Sequence, residues 1–509
     1  MNMSSFHTPE ERRWAWWTLA LNTFAFTVCF ACWMMNGVLV TFLVDHGVHK
    51  WDPAEMGWLI GIPVLTGSLF RLPLGVATDQ WGGKPVLTLL LLLSAVPMYL
   101  VSYCGSYWQF LAAGLGFGLT GTSFAVGIAY TSVWFPQRLQ GTALGIFGAG
   151  NAGAALTSLG APHVLNWLTD QGENLENWRY LPRLYAAMLV ATGMLFALAA
   201  RNRLAEGAVA KSLAERLQPL GHLRVWRFGL YYFFVFGGFV ALAQWLVPYY
   251  VNAYGTTVAL AGALAACNSL PSGVIRAAGG WMSDHWGARA VMYWVFGLSL
   301  LCCGLLVVPQ MEIRSPGSGV MARAAGTVTE VRPGAIVVET EKLGTQTYAW
   351  RSKAGELVTA AERSQGVLIL PRSSARQEPV VAVGEPVEKK QLLARGVTEI
   401  FFQANIWIFT ALSLILGAVM GIGKAAVYKH IPDYFPQDVG VVGGLVGVIG
   451  GLGGFVCPVI FGYLLRETGL WTSCWMFFLV LVLVCLVWMH VVIRRMTVAR
   501  TPEVAHQIE

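Results

Sequence analysis

Charge is scarce in this 509-residue sequence: Lys, Arg, Asp and Glu make up 12% of it, about half the share of an ordinary soluble domain. No basic patch is interleaved with aromatics, which leaves a nucleic acid nothing to bind. The nine cysteines (29, 32, 104, 267, 302, 303, 457, 474 and 485) all fall in apolar stretches. They read as small core residues, not as a disulfide framework or a metal site. Nucleophile–base arrangements and phosphate loops are missing too. The sequence is not that of an enzyme, and no cofactor or metal is expected.

Apolar length is what the sequence has. Runs such as "VLTLLLLLSAVPMYLVSYC" and "SCWMFFLVLVLVCLVWMHVVI" are long enough to cross a bilayer core of about 30 Å. The first run, from Trp14 to about Val44, has no small-residue cleavage pattern and reads as a spanning helix rather than a signal peptide. Apolar windows predict twelve helices, near 14–44, 54–80, 85–104, 107–134, 139–167, 180–200, 226–252, 257–284, 289–310, 403–431, 438–465 and 470–496. An even number puts both termini on one side. Six Lys and Arg lie in the 201–227 connector, whereas the short loops of the other side hold Lys50, Arg179, Arg183 and Arg466. That asymmetry places both termini in the cytoplasm of a multi-pass protein of the bacterial inner membrane.

Between the ninth and tenth helices the composition changes. Residues 311–396 hold 12 basic and nine acidic residues. "GTVTEVRPGAIVVETE" reads as two strands around Pro333-Gly334, and "GVLILP" and "PVVAVGEPV" add strand-like pieces. A small β-rich periplasmic insertion is expected. The domain layout is then a first six-helix bundle (1–200), a cytoplasmic connector (201–227), helices seven to nine (228–310), the insertion (311–396), and helices ten to twelve with a cytoplasmic tail (397–509).

The chain also repeats itself. Arg71, Gly75, Asp79, Gly82 and Lys84 in "RLPLGVATDQWGGK" are matched, each 205 residues on, by Arg276, Gly280, Asp284, Gly287 and Arg289 in "RAAGGWMSDHWGAR". Six helices followed by six equivalent ones is the all-α architecture of the major facilitator fold. The acid–glycine–base end of each copy resembles that superfamily's loop between helices 2 and 3, and again between helices 8 and 9, and the resemblance implies that Asp79 and Asp284 belong to a structural gating motif that ties the two halves together on the cytoplasmic side. Arg71 follows fifteen residues without charge and lies about 12 Å deeper than Asp79 along the same helix. The repeat brings Arg71 and Arg276 to face one another near the midplane. Two guanidinium groups in low dielectric repel unless an anion lies between them, and their planar forks suit a small planar oxyanion. An intramembrane charge is a functional hypothesis by default.

Two glycine-rich stretches, "GLGFGLTGTSFAVGIAYTSVWFPQRLQGTALGIFGAGNAGAAL" and "GIGKAAVYKHIPDYFPQDVGVVGGLVGVIGGLGGF", permit close helix packing. They resemble the paired signature motifs of the nitrate/nitrite porter family, and the two arginines resemble its substrate-binding pair. The resemblance covers roughly 14–310 and 403–496 and leaves the insertion without a family reading. It implies that Asn151 in "GAGNAG" donates to the anion, that Phe124 in "GTSFAVG" stacks against it, and that Tyr232 and Phe236 in "YYFFVFGGF" supply a donor and an aromatic wall. Lys424 in "GIGKAAVYKH" is similar to the lysine of the nitrate–proton symport branch. The antiport branch has small or hydroxyl residues there. Snorkelling to the cytoplasmic interface is the alternative for this side chain.

The expected function is import of nitrate, and of nitrite as a second substrate, by rocker-switch alternating access in a functional monomer within the lipid bilayer. Protons are the expected coupling ion, with Lys424 and His163 as the candidates to carry them. Competing readings are a nitrate/nitrite antiporter, a facilitator for organic anions or sugars, and an anion-sensing receptor that uses the insertion.

Overall fold

The computed structural model describes residues 8–204, 217–308, 311–351, 372–402, 405–435 and 439–500. The chain divides into two compact units, Met1–Val307 with Thr410–Glu509, and Val308–Phe409. The first unit is helical. It holds α1 (Pro9–Asp45), α2 (Pro53–Trp81), α3 (Gly83–Tyr103), α4 (Tyr107–Trp134), α5 (Gln137–Gly148, Ala149–Ala152 and Gly153–Leu168), α6 (Leu175–Ala199) and α7 (Leu223–Tyr254). After these come α8 (Val258–Val274 and Arg276–Trp286), α9 (Ala288–Leu306), α10 (Ile406–Tyr434), α11 (Val439–Thr468) and α12 (Ser473–Arg500).

Among the described residues, ten helices are long and apolar enough to cross a membrane. The two parts of α8, bent by 46°, make an eleventh span when taken together. The remaining expected span, 139–167, is α5. A 3-10 turn at Ala149–Ala152 splits it into pieces too short to cross alone. The middle of the expected connector (205–216) and the strand-like "GVLILP" lie outside the described residues.

Local chemistry sets the helix starts. Asp52 accepts from the Glu55 amide at 2.8 Å while Glu55 accepts from the Asp52 amide at 2.8 Å, and Pro53 takes the first helical position of α2. Glycine then sets how closely the halves approach, with α2 packed on α11, α5 on α8 and α1 on α7. A β-carbon added at Gly61 would lie 2.8 Å from the Phe455 carbonyl oxygen, and one at Gly262 would collide with the Ser158 carbonyl. Trp58 Nε1 donates to the Tyr463 hydroxyl at 3.4 Å near the same end. These contacts close the end of the bundle that carries the 46–52 and 255–257 loops. Packing between the halves thins towards the opposite end, where a β-carbon at Gly444 would find Leu72 at 3.9 Å and one at Gly145 nothing within 4 Å.

The second unit is a β domain. A three-stranded sheet has the order β1–β7–β5 and a four-stranded sheet the order β4–β3–β2–β6, with β1 Met311–Met321, β2 Gly326–Arg332, β3 Ala335–Thr340, β4 Gly344–Ala349, β5 Arg372–Pro379, β6 Pro386–Val387 and β7 Leu392–Phe402. All pairings are antiparallel. β2 and β3 meet at Arg332 and Ala335 around Pro333-Gly334, where Gly334 takes a φ of +88°. A left-handed residue is what such a tight hairpin needs. Val328, Ile336, Val338, Tyr348, Val387 and Leu393 form its buried core. The expected β insertion is therefore a folded domain with a core of its own.

Candidate functional site

The sequence repeat is also a repeat of helix interruptions. The helix breaks at Phe70 (ψ −2°) and again at Ile275 (ψ −5°), 205 residues apart, and Arg71 and Arg276 each open the segment that follows. Both segments end on a glycine with positive φ, Gly82 at +85° and Gly287 at +81°. Other candidate residues sit at irregularities as well. Phe124 is the second residue after the 3-10 turn Gly118–Thr122, and Asn151 lies within the 3-10 turn of α5. Tyr232 precedes, and Phe236 lies inside, the π-helical turn Phe233–Gly238 of α7. Such turns rotate the side chains that follow them out of the regular helical face and are frequent at functional sites.

Arg71 is buried, 4% exposed, and donates from Nη1 to the Gly447 carbonyl on α11 at 2.7 Å. Its guanidinium lies 5.4 Å from the Phe124 ring centre, 5.2 Å from Phe236 and 5.9 Å from Trp33. Arg276 is half-buried, 5.7 Å from the same Phe124 ring and 5.7 Å from Tyr428. One phenyl ring is thus shared between the paired arginines, and adding 5.4 to 5.7 Å bounds the distance between their guanidinium carbons at about 11 Å. Arg71 Nε and Nη2 and Arg276 Nη1 are buried without a hydrogen-bond partner.

The remaining candidates lie close by. Asn151 is wholly buried, and neither its amide nitrogen nor its amide oxygen has a partner. A β-carbon added at Gly273 on α8 would lie 3.7 Å from Asn151 Cβ. Tyr232 and Phe236 stack at 5.1 Å with planes 6° apart, Phe236 stacks on Phe124 at 6.1 Å, and the Tyr232 hydroxyl meets no partner in hydrogen-bonding geometry. Lys424 is fully buried on α10. Its Nζ donates to Ser272 Oγ at 2.9 Å and to the Ser272 carbonyl at 3.3 Å, and rests 3.2 Å from the Phe239 ring centre and 5.9 Å from Phe236. It does not snorkel to an interface. Among the described residues no carboxylate pairs with Arg71, Arg276 or Lys424, so aromatic faces and carbonyl oxygens bear two buried cations and a half-buried one. Such an arrangement attracts one small anion, and the donors left over point to hydrogen bonds with its oxygens.

Two expectations land elsewhere. His163 is exposed on α5, and no contact joins it to this cluster. Asp284 pairs with Lys429 at 2.5 Å, tying α8 to α10 within the second half rather than bridging the halves. Asp79 is half-buried beside the α2–α3 turn, which Asn202 fastens by donating to the Trp81 carbonyl at 2.8 Å and accepting from the Lys84 amide at 3.3 Å. Sequence reasoning missed Trp33, Tyr428, Ser272 and Phe239. Tyr428 was the most accessible of them, one helical turn after Lys424.

A model of the Major Facilitator Superfamily matches residues 21–325 and 392–507. A probable nitrate/nitrite antiporter, NarK1, of Thermus thermophilus is 35% identical over 96% of this chain and 93% of its own. The chain belongs to the nitrate/nitrite porter family of the major facilitator superfamily. A nitrite extrusion protein of Bacillus subtilis (strain 168) is 23% identical over 89% of this chain and 88% of its own. Among solved structures, an inward-facing bacterial homolog of the human lysosomal transporter Spinster covers 94% of this chain and 97% of its own at a TM-score of 0.63 and 11% identity, a likeness of fold alone. This porter is a polytopic membrane transporter and not an enzyme.

Proposed function

We propose that this porter imports nitrate, and nitrite as a second substrate, by proton symport through alternating access, with both termini in the cytoplasm, the β domain in the periplasm and the monomer as the working unit. The observation that carries the anion site is the shared Phe124 ring with an arginine from each half against it and three guanidinium nitrogens without partners. At an effective dielectric of about 20, two positive charges no more than about 11 Å apart repel by at least about 1.5 kcal/mol, whereas a monoanion within about 5.5 Å of each gains about 3 kcal/mol or more per arginine. Binding therefore turns a repulsion between the halves into an attraction. In this reading Asn151 and Tyr232 complete the anion's hydrogen bonds, and Phe124 and Phe236 wall it in.

Proton coupling is assigned to Lys424. An anion entering against an inside-negative potential costs about 2.3 kcal/mol per 100 mV, so accumulation needs at least one accompanying proton. Lys424 and Arg71 lie 5.9 and 5.2 Å from the Phe236 ring centre, and in this reading the charge state of Lys424 senses whether the arginines are neutralised. A nitrate/nitrite antiporter is the second reading, favoured by the name of the Thermus thermophilus relative. Proteoliposomes that carry a pH gradient and no internal anion separate the two. Symport predicts nitrate accumulation with alkalinisation outside, and the antiport reading predicts neither until nitrite is loaded within. Loss of all transport in the Arg71→Gln, Arg276→Gln pair is expected in both cases, and its persistence would remove the anion site itself.

A further inference from the structure

We propose that a second anion site, distinct from the midplane cluster, binds the phosphate of an anionic phospholipid, with phosphatidylglycerol as the committed occupant. The site is a cleft among the ends of α7, α9, α10 and α12, lined by Arg227, Tyr231, Arg289, His430, Tyr434 and Met489. These helix ends belong to the face of the bundle where α1 begins and α12 ends.

Four observations build it. Arg227 is only 7% exposed, yet it makes no ion pair or hydrogen bond among the described residues and rests 5.2 Å from the Phe228 ring. The Tyr231 hydroxyl, one turn further along α7 and on the same face, is buried without a partner. Arg289 is exposed at the mouth, where its Nη2 donates to the Tyr434 hydroxyl at 2.7 Å, and Arg224 lies 5.2 Å over the same Tyr434 ring. Among the described residues no acidic side chain lines the cleft, and the neighbouring Asp284 is already paired with Lys429. A nearly buried guanidinium and an unpartnered phenol side by side call for an acceptor with negative charge.

Size and setting choose the ligand. The cavity is about 20 Å³, room for one oxygen atom rather than a whole metabolite. A phosphodiester inserting one non-bridging oxygen between Arg227 and Tyr231, while its other oxygen meets Arg289 at the mouth, fits that limit. Ile493 and Met496 continue the wall as apolar surface, and the exposed Trp226, Arg494 and Arg495 are next to lining residues in the chain. Basic pockets between spanning helices at the cytoplasmic face are suited to anionic headgroups, whose chains then lie along the apolar wall.

The test uses the purified full-length porter in phosphatidylcholine nanodiscs doped with phosphatidylglycerol, with retained lipids counted by native mass spectrometry. Preferential retention of phosphatidylglycerol is expected, weakened about fivefold by Arg289→Gln and about fivefold by Arg227→Gln. Tyr231→Phe guards against misfolding: it breaks no hydrogen bond within the protein, so it should lower phosphatidylglycerol retention and leave the melting temperature unchanged. Equal retention of the two lipids by the native protein would overturn the proposal, as would unchanged preference in both Arg289→Gln and Tyr231→Phe. Displacement of phosphatidylglycerol by inorganic phosphate, together with phosphate binding in lipid-free detergent, would make this a soluble-anion site and equally refute the lipid assignment.

Discussion

Replacing Lys424 by methionine separates coupling from binding. The two side chains have similar length, so the change removes a charge and leaves the space filled. The structure gives both sides of the energetics. Losing Nζ leaves the Ser272 carbonyl and hydroxyl without their donor, at a cost of about 1–3 kcal/mol, and forfeits the contact with the Phe239 ring. Against this, a fully buried ammonium with no carboxylate partner disappears, and exchange of buried charges for apolar side chains is often neutral or stabilising by about 1–4 kcal/mol. The variant should therefore fold, with a melting temperature within a few degrees of the native one. Transport should divide. In proteoliposomes a one-proton symporter accumulates nitrate about tenfold per unit of pH gradient, since that gradient is worth about 1.4 kcal/mol. The Lys424→Met protein should show no accumulation, while nitrate–nitrate exchange, which needs only Arg71, Arg276 and their neighbours, continues within a few-fold of the native rate. Retained accumulation with an intact proton flux would refute the assignment to Lys424, and a large loss of thermal stability would refute the energetic argument beneath it.

Further outcomes are open to measurement. Arg71→Lys keeps the charge but loses the fork that reaches Gly447 while presenting two more nitrogens, so nitrate affinity in exchange assays should fall at least tenfold, the worth of about one hydrogen bond to a charged group. Gly61→Ala forces a β-carbon against the Phe455 carbonyl oxygen and should open the sealed end, raising the labelling rate of a cysteine placed at Trp58. Asn151→Leu removes two unpartnered buried polar atoms and should stabilise the protein in detergent melts while lowering nitrate affinity, the reverse of what a packing amide would do. His49, stacked on Trp51 in the 46–52 loop, has its pKa held below 6.5 by burial first and by the nearby Arg179 cation second, with Glu176 opposing. Its contribution to stability is complete above pH 6.5 and is lost as pH falls from there through the folded-state value, so His49→Gln should flatten the melting-temperature profile in that acidic window.

The repeat made much of this site legible before any coordinates. An arginine inside an apolar run is anomalous in composition alone, and its recurrence 205 residues later marks a pair, so Arg71 and Arg276 stood out. Gly82 and Gly287 were legible for a related reason, because a left-handed residue can hardly be anything else. What stayed hidden was whatever depends on how helices are rotated against one another. Phe239 and Ser272, which hold Lys424, belong to α7 and α8 and lie in ordinary apolar or small-residue surroundings. Trp33 is one of 21 tryptophans. His163 looked promising because polarity inside an apolar helix draws attention, but helical phase, not polarity, decides which face a residue takes, and the 3-10 turn of α5 resets that phase. The β hairpin at Pro333-Gly334 was readable from alternation alone, whereas the two-sheet order with β7 between β1 and β5 needs long-range pairing that no local pattern contains.

The interruptions near Arg71, Phe124, Asn151, Phe236 and Arg276 also bear on how the proposed site would serve the two conformations of the proposed alternating access. A continuous helix packed on glycine over its whole length moves as a rod, and closing one end must open the other only if something near the middle acts as a pivot. Here α2 meets α11 tightly at Gly61, loosely at Gly444, and between them Arg71 grips the Gly447 carbonyl across the two halves. That bond crosses the interface at the level of the shared Phe124 ring, so a group of the proposed anion site also helps to link the halves. An anion that drew Arg71 away from Gly447 would loosen the link as it bound, and one that left the bond intact would tighten the halves around it. The two cases differ in what nitrate does to the native protein: the first predicts faster opening of the sealed end when nitrate is added and the second slower opening, and Arg71→Lys, which lacks the link, should show neither response. Double electron–electron resonance distances between one spin label in the 46–52 loop and one in the 255–257 loop, taken with and without nitrate in both proteins, read that difference directly.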